Sequence, residues 1–69
     1  MTDKERTFIV TLYYGQLKEC LDLLHAIYEV MYLSCTTIDE IVRLNRNYDF
    51  FEAKLKSYFI DKINNETSN

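Results

Sequence analysis

A single glycine and no proline in 69 residues leave this chain almost nothing with which to interrupt a helix. Those two residues are the strongest local breakers of regular structure, so long uninterrupted helices are the natural outcome and a loop-rich fold is excluded. The one convincing break is Ser34-Cys-Thr-Thr37, small polar residues that disfavour helix interiors and favour caps. Two long helices joined by so short a connection must fold back on one another, which predicts an all-α fold, an antiparallel two-helix hairpin resembling a coiled coil.

The first helix is expected over about residues 3–33. Thr2 and Glu5 have capping-box spacing at its start. Its apolar seam reads Val10, Tyr14, Leu17, Leu21, Leu24, Tyr28 and Met31, at steps of four and three, over a length of about 45 Å. Gly15 lies inside it at a cost of about 1 kcal/mol relative to alanine, so a bend or fraying is expected before Gln16. The second helix should begin near Ile38, where Thr37 stands three residues before Glu40 and Thr36 three before Asp39. It should reach about residue 63 along the seam Ile41, Leu44, Tyr48, Phe51, Leu55 and Tyr58. Residues 64–69 carry no apolar anchor and read as a flexible tail of the single domain 1–69.

A lone core of this size rarely supplies more than about 3–5 kcal/mol, so small folds often need a staple or a partner. The staples are missing. Cys20 and Cys35 have neither metal-ligand nor CxxC spacing and only His25 to accompany them, so no metal site is expected. The charged start leads to no signal-peptide core, which makes a reducing cytoplasm the simpler setting. No apolar run approaches a membrane span. A net charge of −3, with no basic patch beyond Arg43 and Arg46, argues against nucleic acid and mildly for a protein partner. The first helix also carries more apolar surface than one seam uses, since Ile9, Tyr13, Cys20, Leu23, Ile27, Val30 and Tyr32 widen its stripe. Either self-association, a homodimer through this helix, or an apolar patch reserved for another protein should cover it.

The candidate sites thin out under inspection. His25 lacks the partners of a catalytic or metal-binding histidine, and Cys35 has no basic neighbour to activate it. The six tyrosines read as core and rim, because a stacking platform for bases would need a basic groove beside it. What remains is a polar line on the second helix: Asn45, Asp49, Glu52 and Lys56, at steps of four, three and four, with Arg46 beside it. These side chains share one strip of helix surface, readable as a solvated flank with a Glu52–Lys56 pair or as a binding strip.

The run Leu44-Asn-Arg-Asn-Tyr-Asp-Phe-Phe51, preceded by Thr37-Ile-Asp-Glu-Ile-Val42, resembles the stage-zero sporulation regulatory protein E family, the Spo-zero-E-like aspartyl-phosphate phosphatases. Members are small helical hairpins whose second helix carries a Ser-Gln-Glu-Leu-Asp signature between apolar residues. Asp49 matches its aspartate, Asn45 stands for the serine, and Arg46 and Asn47 replace glutamine and glutamate. The glycine common at the family's turn is absent, with Cys35 near its place. The resemblance implies a negative regulator of sporulation that docks its second helix on a phosphorylated response regulator and hastens hydrolysis of its aspartyl phosphate. It implies Asp49 and Asn45 as catalytic residues and Arg46, Asn47, Glu52 and Lys56 as partner contacts. It implies no cofactor of the protein's own, the Mg²⁺ coming from the regulator. The rival reading is a non-enzymatic interaction module, a small inhibitor or antitoxin-like dimer.

Overall fold

The computed structural model describes residues 1–68 and contains two helices, α1 (Asp3–Ser34) and α2 (Ile38–Thr67). They pack side by side as an antiparallel hairpin measuring 53 × 16 × 9 Å. Both start where the capping residues place them. Thr2 Oγ1 accepts from the Glu5 amide at 3.2 Å, and Thr37 Oγ1 accepts from the Glu40 amide at the same distance. The Glu40 carboxylate reaches back past Thr37 to the Thr36 amide at 3.1 Å, so the box closes one residue further out than its usual form. The turn needs no glycine, because no described residue other than glycine has positive φ and Cys35 is extended. Cys35 ends α1 by donating its amide to the Tyr32 carbonyl at 3.1 Å. Gly15 neither ends nor interrupts the helix.

The inter-helix seam departs from the strict heptad. Leu17, Leu21, Leu24 and Tyr28 on α1 and Ile41, Leu44, Tyr48 and Leu55 on α2 are buried or half-buried along the seam as expected, but the lines diverge toward the open end. There Ile9 and Tyr13 replace Val10 and Tyr14, while Phe59 replaces Tyr58 and the half-buried Glu52 takes the place expected for Phe51. Val10, Tyr14, Met31, Phe51 and Tyr58 are exposed. The cause is the mismatch between 3.6 residues per turn and a 3.5-residue repeat. Helices that do not supercoil fully carry a heptad line off the contact by about 20° per heptad. Contact is then kept by taking extra steps of four.

The second difference is at the C-terminus. α2 continues past residue 63 to Thr67 because its last turn has an anchor fifty-three residues away, where the Tyr13 hydroxyl donates to Glu66 Oε1 at 2.7 Å. Lys62 adds its ammonium over the Tyr13 ring, 5.5 Å from the centroid. Of the expected tail, residue 69 lies outside the described residues.

Only Leu44 and Phe59, 8% and 6% exposed, are buried among the described residues. An ordinary compact chain of this length has a radius of gyration of about 11 Å, whereas this one has 16.0 Å. The hairpin is therefore one layer of helices with almost no interior. Truncating Phe59 should remove about 3–5 kcal/mol, as much as the whole fold is expected to hold. Phe59→Ala should accordingly be largely unfolded in water. Gly15→Ala, whose added methyl meets nothing within 4 Å, should gain about 1 kcal/mol. Urea unfolding followed by circular dichroism checks both.

Candidate functional site

The polar line on α2 falls on one flank of the hairpin, beside the seam. Its four members have different fates. Asn45 is engaged across the hairpin, accepting at Oδ1 from the Tyr28 hydroxyl. Glu52 is half-buried and pairs with Lys56 at 3.2 Å, an i,i+4 bridge at the rim of the seam. Asp49, exposed between them, makes no hydrogen bond or ion pair among the described residues. Arg46 is exposed on the outer edge of the same strip, one turn before Asp49. Asn47 is separated from it. It lies on the opposite flank, where it lines a shallow groove with Met31, Cys35, Glu40, Arg43 and Leu44.

Aromatic rings back the Asp49 strip. Tyr28 packs on Tyr48 with centroids 4.9 Å apart, and His25 stands 6.3 Å from both rings. His25 also bridges to Glu29 at 3.1 Å. Loss of hydration in the seam, and then the Glu52 carboxylate, push the Tyr48 phenol above its usual range. At the open end the Tyr13 phenol is raised chiefly by its hydrogen bond to Glu66, which the ionised form could not donate.

Beyond Glu52 the same flank opens into an apolar groove. Its floor is Leu17, Leu21, Phe59 and Ile63, its walls Tyr14 and Ile60, and its rim Lys18, Asp22 and Lys56. The pattern of either helix alone does not place this groove, because it forms where the two seams diverge. Leu21 serves both the floor and the seam, so mutating it would damage the fold as well as the groove. Among the described residues no His, Cys, Asp or Glu side chains gather into a group of three that could hold a metal ion. Cys20 and Cys35 are both free and half-buried. Fifteen residues of helix separate them by roughly 22 Å, far beyond the reach of a disulfide. No helix of the described chain is long and apolar enough to cross a membrane.

No protein-family model matches the chain, and no curated protein or solved structure matches it significantly.

The raised phenols fix the direction of an alkaline response. Tyr13 and Tyr48 titrate higher in the folded chain than the ordinary 10.0, so the folded state holds their protons more tightly. Their contribution is fully present below pH 10.0 and is lost as pH rises through the folded values. Denaturant unfolding on either side of that pH should show the loss, and Tyr13→Phe with Tyr48→Phe should flatten it.

Proposed function

We propose that this chain is a non-enzymatic interaction module, a helical hairpin that acts by docking on another protein. One observation carries the reading. The open-end groove, on the flank with Asp49, leaves Tyr14 and Ile60 in water beside Leu17, an apolar trough that no described residue of the hairpin covers. The open-end groove suits an amphipathic helix of the partner, laid against Tyr14, Leu17 and Ile60. Lys18 and Lys56 on its rim favour a helix whose apolar stripe is edged with acidic residues, with Asp22 as a local exception.

The test is a photoreactive side chain at Ile60 in living cells. It should yield an adduct with one discrete protein, and Tyr14→Ser should abolish that adduct without loss of helicity. Adducts with other copies of the chain alone would refute the reading.

A second reading, the aspartyl-phosphate phosphatase, is favoured by the position of Asp49. Its carboxylate is exposed midway along α2 and is free of partners among the described residues, as a group that acts on another protein's phosphoryl site must be. An acyl phosphate is already labile, and the regulator supplies both the phosphoaspartate and its Mg²⁺. The docked helix would need only to orient a water and stabilise the transferring charge. Asn45 would have to give up its bond to Tyr28 in order to take part. Sub-stoichiometric protein should then shorten the lifetime of the aspartyl phosphate on a sporulation response regulator, and Asp49→Ala should remove the effect. An unchanged lifetime across several regulators would discard this reading in favour of the first.

A further inference from the structure

The flank opposite Asp49 exposes apolar side chains on both helices, interrupted on α2 by Asn47, Glu40 and Lys62. On α1, Leu23, Ile27, Val30 and Met31 form an exposed stripe, and Ala26 joins the last three in a shallow groove. Met31 carries that stripe across the seam, because it also lines the groove with Asn47 on α2. From Asn47 the α2 flank runs on through Phe51 to Tyr58, at steps of four and seven. Leu23 is 64% and Phe51 53% exposed, and neither has a partner helix. The cross-helix bonds from Tyr28 to Asn45 and from Tyr13 to Glu66 set a register that brings Leu23 and Phe51 to the same level, near mid-length.

We infer that this flank is covered by a second copy of the chain, in an antiparallel four-helix bundle whose two-fold axis crosses both helices at the level of Leu23 and Phe51.

Area supports a second copy. A compact monomer of 8.3 kDa exposes about 4,600 Å², whereas this chain exposes 5613 Å². The excess, roughly 1,000 Å², matches the approximately 800 Å² that each partner buries in a standard stable interface. Charge supports the orientation. Glu40, whose carboxylate also caps Thr36, and Lys62, whose ammonium also lies over the Tyr13 and Tyr58 rings, are on this flank, each eleven residues from Phe51, one toward the loop and the other toward the open end. An axis at Phe51 therefore sets Glu40 against the partner's Lys62, twice by symmetry. Laying the copies with their loops at the same end would forgo both pairs. The Leu23 side chains then meet across the axis, and Ile27 meets the partner's Cys20. The opposite flank, with Asp49 and the open-end groove, stays free, so this inference does not rest on either functional reading above.

Sedimentation equilibrium of the purified chain should give twice 8.3 kDa. Leu23→Glu with Phe51→Glu should raise the dimer dissociation constant by about 30-fold or more. In a Cys20→Ser, Cys35→Ser background, Leu23→Cys should form an intermolecular disulfide with oxidised glutathione. Leu33→Cys, on the far side of α1, should not. The cross-link leaves the surface nearly intact, so it decides the matter if the double-glutamate chain fails to fold. A monomer at every concentration would overturn the proposal. So would a dimer that survives both glutamates or fails to cross-link at Leu23, or a larger species formed only with a different protein.

Discussion

The contact between α1 and α2 is narrow, and everything else in the molecule depends on it. Two helices can bury only one stripe each, and here that stripe reduces to Leu44 and Phe59 with a half-buried border. Neither a disulfide nor a metal site supplements it among the described residues. The remaining ties are polar and lie at the rim: Tyr28 to Asn45 near the turn and Tyr13 to Glu66 at the open end. Exposed bonds of this kind add about 1 kcal/mol each at most. They fix register more than they supply stability.

A thin layer has two broad faces, and the chemistry divides between them. One face has the polar strip of Asn45, Asp49, Glu52 and Lys56, leading into a groove with lysines on its rim. The other face has Leu23, Ile27, Val30, Met31, Phe51 and Tyr58. The division follows from the drift of the seam. Because α2 turns Glu52 and Phe59 inward, Phe51 and Tyr58 are rotated onto the apolar face, where they extend the stripe of α1. Under a strict heptad they would have been spent on the intramolecular contact.

Much of this was legible in the sequence, for local reasons. The lack of breakers, the threonine caps and the Ser34–Thr37 gap specify two helices and a turn through interactions spanning a few residues. The polar strip was legible as a strip for the same reason, since i,i+3 and i,i+4 spacing is a property of one helix. What the pattern missed depends on how one helix lies against the other. The bond that engages Asn45 needs Tyr28 at the matching level of α1. The helical turn at residues 64–67, polar and unanchored in sequence, is held by Tyr13. The groove floored by Leu17 and Phe59 exists only where the seams part. A heptad template, applied to helices that do not fully supercoil, assigned Phe51 and Tyr58 to the wrong face.

The inferred dimer makes the hairpin half of a folded unit, which draws stability from the second copy that covers its apolar face. The most direct test is the thermal midpoint of the pure protein over a roughly 100-fold range of concentration, since association with the folded state alone makes Tm rise with concentration. A steady rise is the predicted result. A Tm independent of concentration would mean that the hairpin stands on the narrow α1–α2 contact alone, with no second copy on its apolar face.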